Sequence, residues 1–489
     1  MTDRSRWERS ILGAFGRPQS EAADAPGASS GSGRRLLLDR CDVVVTMDEA
    51  GTEIPGGSIL IEDGAIAWIG PGEPPQAEGA ERVSGVGTVA VPGLVNTHHH
   101  LNQVLTRARA SEQGLFGWLA ELYPVWAGVD EEWERAAAAV GLAELALSGC
   151  TTTADHHYVF PDGAGGLLEA EIGAARRLGL RFHPCRGSMD LGQSQGGLPP
   201  DAVVQDVETI LAHTEEAVGR FHDAAPGSML RIAVAPCSPF SASERLMRES
   251  AELARKLGIR LHTHVAETLD EERFCLERFG RRPLELLEDL GYVGPDVWLA
   301  HCVHLDERDV RTMAETRTGV AWCPTSNLRL GSGIAPARSL LGNGAIVGLG
   351  VDGSASNDSG HLLAEARQGL LVTRGPAPAW GEPDPAAMTA RDALRVATRG
   401  GAACLGRDDL GSLEPGKRGD VALFDVTGLA FAGAEADPVA GLLLCAPQRV
   451  RDLFVEGRPV VRAGRLVTVD EQEVAMEGHR VAARIAREG

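Results

Sequence analysis

The sequence predicts an α/β protein: a (β/α)8 barrel carrying a small β-sandwich domain formed from both chain ends. Three observations predict it. Short apolar strands alternate with Ala/Leu/Glu-rich helical stretches through the middle of the chain. Two hairpin signals, each too small to hold a core alone, stand at opposite ends. The polar residues of the middle region gather where strands end, which is where a parallel barrel keeps its chemistry. With 489 residues, 43 % of them hydrophobic, the chain is long enough for one large domain and an accessory one.

In chain order, residues 1–33 are rich in Gly, Ser, Ala and charge and are expected to be a disordered tail. Gly27–Gly31 matches the GxSxG nucleophile pattern, but no strand precedes it and no helix follows, so it carries no function. The opening "MTDRSRWERS" is charged and leads into no apolar signal region. The nine cysteines are scattered without a CxxC, as expected of buried thiols in a reducing compartment, and the expected location is the cytoplasm. The stretch "SILIEDGAIAWIG" alternates and turns at Asp63-Gly64, and "RDLFVEGRPVVRAGRLVTV" turns at Glu456-Gly457. These give a sandwich over 34–90 and 409–475, with the barrel inserted over 91–408 and a helix over 476–489. Barrel strands are expected to end at or near His100, His157, Gly187, Cys237, Glu267, His304, Pro324 and Gly353. Stretches such as "EEWERAAAAVGLAELALSG" and "ERLMRESAELARKLG" supply the helical crossovers.

Alternate residues of a strand share a face, so in "VPGLVNTHHH" His98 and His100 point one way and His99 the other. In "RLHTHVAET" the pair is His262 and His264, and the strand end favours His264 as a ligand. Glu267, three residues on, is placed for a proton shuttle beside a metal. "WLAHCVHL" supplies His301, with His304 as its competitor, and "AIVGLGVDGSASND" runs a buried strand into Asp352. Singly, each histidine reads as a core residue and Asp352 as a turn cap. Together they point to one metal-dependent site.

Gly348–Gly353 also matches GxGxxG, but it falls late in the chain with its acid inside the motif, which argues against a nicotinamide cofactor. The cysteine-based deaminase pattern is absent. A net charge of −21 disfavours nucleic acid, and no apolar run approaches the ~20 residues of a membrane span. Phe116, Trp118, Tyr123 and Trp126 crowd into eleven residues of a chain that is 4 % aromatic. They form either a hydrophobic plug or a stacking wall and lid for a flat heterocycle. Gln103 is placed to hydrogen-bond such a ring, and Arg186 and Cys237, at strand ends, are further pocket candidates.

The segments "NTHHH", "HTHVAE", "AHCVHL" and "GLGVDGSASND", in that order, resemble the amidohydrolase superfamily in its branch of nucleobase and triazine deaminases. The resemblance spans nearly all of residues 38–475, and "LEPGKRGDVALFD" resembles the family's return into its sandwich. It implies one Zn²⁺ per subunit, with Fe²⁺ as the alternative because imidazole and carboxylate suit both. The implied ligands are His98, His100, His264 and Asp352. Asp352 would also take the attacking water's proton, Glu267 would shuttle protons, and His301 would hold the oxygen at the attacked carbon. Within the branch, "LFGWLAELYPVWAG", "SGCTTTADHHYVFP", "RGSMDLGQSQGGLPPD" and "SNLRLGSGIAP" resemble enzymes that deaminate oxidised purines. That implies conversion of free 8-oxoguanine to urate and ammonia. The same stretches resemble hydrolases of hydroxylated triazines, and isocytosine- or guanine-type deamination would use the same site. The expected protein is a homo-oligomer acting on a small molecule, with no nucleic-acid or membrane partner. Trp322 departs from the family pattern, where something smaller or polar is expected, and the N-terminal tail has no counterpart in it.

Overall fold

A computed structural model describes residues 33–375 and 382–488. The tail expected over 1–33 lies outside the described residues apart from Gly33. The chain from Arg35 onward forms one compact unit. It begins with strands β1 (Arg35–Val45), β2 (Glu53–Glu62), β3 (Ala65–Pro71), β4 (Glu81–Ser84) and β5 (Thr88–Pro92). Eight parallel strands come next: β6 (Leu94–Asn96), β7 (Cys150–His157), β8 (Arg181–Ser188), β9 (Ala233–Pro236), β10 (Arg260–Val265), β11 (Val297–His301), β12 (Gly319–Trp322) and β13 (Val347–Leu349). They close into a barrel in sequence order, β13 pairing with β6 through Leu349 and Asn96. The chain returns through β14 (Val421–Asp425), β15 (Asp452–Val455), β16 (Arg458–Arg462) and β17 (Arg465–Leu466) and closes with a helix over Glu471–Glu488, which begins before the expected 476.

Strands from both ends build one nine-stranded sheet, ordered β17-β16-β15-β14-β5-β1-β2-β3 with β4 alongside β1. The seam is β5 against β14, where Ala422 opposes Val91. The register of β1 slips between Leu38 and Cys41. Its first half pairs with β4 and its second half with β5, so the sheet bends around its own core of Leu36, Leu38, Val44, Ile59, Ile61, Leu423 and Phe454. The hairpins turn where expected, with Asp63 and Glu456 left-handed before Gly64 and Gly457.

The barrel interior is packed with small residues (Ala154, Ala233, Ala235, Ala300, Ala321) around Trp298, and Leu405 and Leu410 belong to the same cluster. Arg181, fully buried at the start of β8, ties barrel to sheet: Nε donates to Asp420 at 2.7 Å, and the guanidinium also reaches Glu456. Arg181→Ala leaves Asp420 buried without its charged partner, only the Glu456 N–H still donating to it, so a loss of about 3–5 kcal/mol is expected, read as a lower urea midpoint. All nine cysteines are free, and no helix among the described residues is long and apolar enough to cross a membrane.

Several strands stop short of their expected ends. β6 ends at Asn96, so the histidine triplet lies beyond it; β11 ends at His301, β12 at Trp322 and β13 at Leu349. Ladder pairing gives way there to single cross-links. Thr97 N–H donates to Leu349 O (2.8 Å), Val351 N–H to Asn96 Oδ1 (2.9 Å), and Asp352 N–H to His98 O (3.1 Å). The last of these fastens two expected ligands to each other through their own backbone.

Candidate active site

The barrel's C-terminal mouth gathers His98, His100, His264, His301, Glu267 and Asp352, all buried. The hydrogen bonds around three of the histidines fix their tautomers. His100 Nδ1 lies 2.7 Å from His156 O, and His264 Nδ1 lies 2.6 Å from Cys237 O. A carbonyl only accepts, so both Nδ1 atoms carry the ring proton and both Nε2 atoms are bare. His98 reaches the same state through one relay. His262 Nδ1 donates to Trp298 O (2.8 Å), which leaves His262 Nε2 to accept from His98 Nδ1 (2.8 Å).

The three bare Nε2 atoms face one another and one carboxylate oxygen. His100 Nε2 is 3.1 Å from His264 Nε2, and Asp352 Oδ1 is 3.3 Å from the Nε2 atoms of both His98 and His100. Burial and the neighbouring His98 push His100 down to about 3, and burial with His98, His100 and His301 holds His264 well below the usual imidazole range. A second ring proton on His100 or His264 therefore does not fill the gap at neutral pH. Bonds of ~2.0–2.1 Å to a tetrahedral zinc give ligand–ligand edges of about 3.3 Å, so the donor set fits a divalent cation. The outer hydrogen bonds that set the tautomers are those a metal site needs.

Asp352 is held in the left-handed region (φ 62°). Its Oδ2 accepts from Ser326 Oγ (2.6 Å) and Ser356 Oγ (3.0 Å), which aims Oδ1 at the histidines. Glu267 comes just after β10, where Glu271 accepts from the backbone N–H groups of Ala266 and Glu267 and pins the turn. Glu267 Oε2 is 3.6 Å from His301 Nε2, and Oε1 is buried with no partner. Burial and the charges of Asp352 and Glu271 raise the Glu267 carboxyl well above its usual range. Asn327 Nδ2 donates to His301 Nδ1 at 2.9 Å, so the His301 proton sits on Nε2, on the side of Glu267. His304 bonds the Ser332 carbonyl instead. His99 points away, its ring beside Gly141 of the helix Glu131–Leu147.

Above these groups lies a cavity of about 30 Å³ lined by Gln103, Trp118, Tyr123, Tyr158, Cys237, Phe240 and all the site residues but His98. The helix Leu115–Trp126 covers it, with Trp118 Nε1 donating to Ala355 O (2.9 Å). Gln103 Oε1 is buried and unpartnered, while its amide nitrogen is 3.3 Å from the Tyr158 hydroxyl. Arg186 lies elsewhere. Cys185 takes the inward position of β8, so Arg186 faces out, stacked 3.8 Å over Phe160 and bonded to Gln205. Phe116 packs on Phe240, and Trp126 is buried against Thr106. Trp322 faces out of the barrel toward Gly369 and does not line the cavity.

The sequence places Asp155 and His156 among the polar residues at strand ends but gives His156 no role; its ring stacks on His264 at 4.8 Å and its Nδ1 is buried without a partner. Missed as well were the supporting roles of His262, Tyr158, Ser326 and Asn327.

The sequence model of the amidohydrolase family matches residues 89–460. The chain is 48 % identical over 434 residues to 8-oxoguanine deaminase of Pseudomonas aeruginosa, covering 88 % of this chain and 93 % of that one. It is 40 % identical over 458 residues to hydroxydechloroatrazine ethylaminohydrolase of Pseudomonas sp. strain ADP, covering 90 % and 94 %. Among solved structures it is similar to atrazine chlorohydrolase from Arthrobacter aurescens TC1 complexed with zinc, at a TM-score of 0.86 and 33 % identity, covering 91 % of this chain and all of that one.

Proposed function

The chain belongs to the amidohydrolase family, and from that premise we propose that it hydrolyses the exocyclic C–N bond of a free oxidised purine, converting 8-oxoguanine and water to urate and ammonia. The observation that carries this reading is the placement of a buried Glu267, its carboxyl raised well above the usual range, beside three bare imidazole nitrogens and Asp352 under a wall of aromatic rings. His98, His100, His264 and Asp352 would hold the cation, which supplies Lewis acidity and makes water acidic enough to attack at neutral pH. Zinc is the ion favoured, given the zinc-complexed chlorohydrolase.

Each residue then has a task its surroundings suit. Asp352 Oδ1, steadied by two serine hydroxyls on the other oxygen, accepts the proton of the attacking water. Glu267 donates its proton to a ring nitrogen, which makes the amine-bearing carbon electrophilic. His301 Nε2–H, oriented by Asn327, donates to the oxygen that forms at that carbon. Asp352 passes the proton it took from water to the amine, which leaves as ammonia, and Glu267 takes the hydroxyl proton of the adduct as the carbonyl forms, so both residues end as they began. The free base fits better than a base in DNA, because the chain's net charge is −21. Nine free thiols support a reducing, cytoplasmic setting.

The cavity of about 30 Å³ is far below the ~300–1,000 Å³ of ligand pockets. Entry of a base therefore requires the lining side chains, Trp118 and Tyr123 of the helix Leu115–Trp126 among them, to shift. Gln103→Ala removes a hydrogen bond made equally to substrate and transition state, so KM is expected to rise about tenfold with kcat nearly unchanged in steady-state assays. A triazine reading rests on the 40 % identity to the hydroxydechloroatrazine enzyme. Ammonia release from 8-oxoguanine, isocytosine, guanine and hydroxylated triazines separates the two. Release with urate formation is expected from 8-oxoguanine; release from triazines alone retires the purine.

A further inference from the structure

Behind the site, a second cluster of buried donors has no assigned task. Glu134 comes from the helix Glu131–Leu147, His157 from the end of β7, and Glu171 from the helix Leu167–Leu178. All three are fully buried. His157 Nε2 lies 2.8 Å from the Val159 carbonyl, so the ring proton sits there and Nδ1 presents a lone pair. That lone pair faces Glu171 Oε1 at 3.0 Å and Glu134 Oε2 at 3.5 Å. Nδ1 and all four carboxylate oxygens are buried without a hydrogen-bond partner, as is Oδ2 of nearby Asp155. Among the described residues, neither glutamate pairs with an arginine or lysine. Lone pair thus meets lone pair in a dry enclosure, and an acidic pair buried this way needs a compensating positive charge or proton.

We propose that Glu134, His157 and Glu171 hold a second, structural divalent transition cation of the zinc, manganese or iron(II) type. One imidazole and two carboxylates suit these ions, and the 3.0 and 3.5 Å spacings bracket the edges of a site with ~2.0–2.1 Å bonds. The enclosure is closed, as structural sites are. The ion joins two helices to the end of β7, and that strand end positions the first site. The His156 carbonyl accepts from His100 Nδ1, and Asp155 Oδ1 accepts from Leu101 N–H at 2.7 Å. The second ion therefore stiffens the frame that orients His100.

The test uses the full chain, purified from medium supplemented with zinc, manganese and iron, then desalted. Elemental analysis is expected to find two metal equivalents per chain, and anomalous diffraction two peaks, one enclosed by Glu134, His157 and Glu171. Glu171→Gln and Glu134→Gln are each expected to lose that equivalent and its peak, to melt at lower temperature, and to keep the peak at His98, His100, His264 and Asp352. A single wild-type peak, at the latter site, overturns the proposal; a carboxylic-acid proton of Glu171 would then fill the gap to His157 Nδ1. Should both variants fail to fold, the wild-type diffraction decides alone.

Discussion

Glu267→Gln is expected to keep its metal and to lose about 10³-fold in kcat. Glutamine preserves the shape of the side chain, and Glu267 is not among the groups that converge on the cation position. What it lacks is a transferable proton. The same group predicts a pH dependence. Burial, Asp352 and Glu271 hold the Glu267 carboxyl well above its usual range, so the acid form persists to higher pH than in water. Donation needs that acid form. Turnover is therefore expected to hold on the acidic side of the raised pKa and to fall as pH climbs through it, and the Gln variant is expected to lack this limb. Ammonia release across pH, with metal content measured in parallel, checks both. Full activity in the variant removes Glu267 from the reaction.

His264→Ala is expected to strip the site of its cation. It deletes one of three converging nitrogens, and the Cys237 carbonyl that fixed its tautomer cannot replace it. Losing an outer partner of a metal ligand typically costs 10–100-fold in affinity; losing the ligand itself should exceed about 100-fold, with activity falling in step. His262→Phe gives the graded comparison. It removes the acceptor that keeps His98 Nδ1 protonated, so affinity is expected to fall only about 10–100-fold. Competition against a chelator measures both variants. Equal losses would falsify the division between ligand and support.

The residues that converge were legible because strand alternation is local. Two-residue spacing separates His98 and His100 from His99 without any knowledge of the fold, and polar residues at strand ends marked the mouth of the barrel. The tautomers were not legible, because they depend on carbonyls from other strands: His156 O for His100, Cys237 O for His264, Trp298 O for His262. Arg186 shows the converse limit. A strand end says how far along the barrel a residue lies, but one residue of register decides whether it faces in or out. Glu134 and Glu171 were invisible for a related reason. On helices rich in acid they read as surface residues, and only the packing of both helices onto β7 turns them inward. The hairpins at either end were plain, yet the slip in β1 that bends the sheet leaves no mark in composition.

The seam between β5 and β14 has a consequence for biosynthesis. Its partners, Val91 and Ala422 among them, lie more than three hundred residues apart. At about 5–20 residues per second, β5 emerges from the ribosome and waits on the order of tens of seconds for the strand that covers its edge. Throughout that interval the nascent chain exposes an apolar strand, "TVAVP", with its hydrogen-bonding edge open. Chains cut short before residue 421 keep it exposed permanently, so truncated products should aggregate or be degraded rather than survive as free-standing barrels.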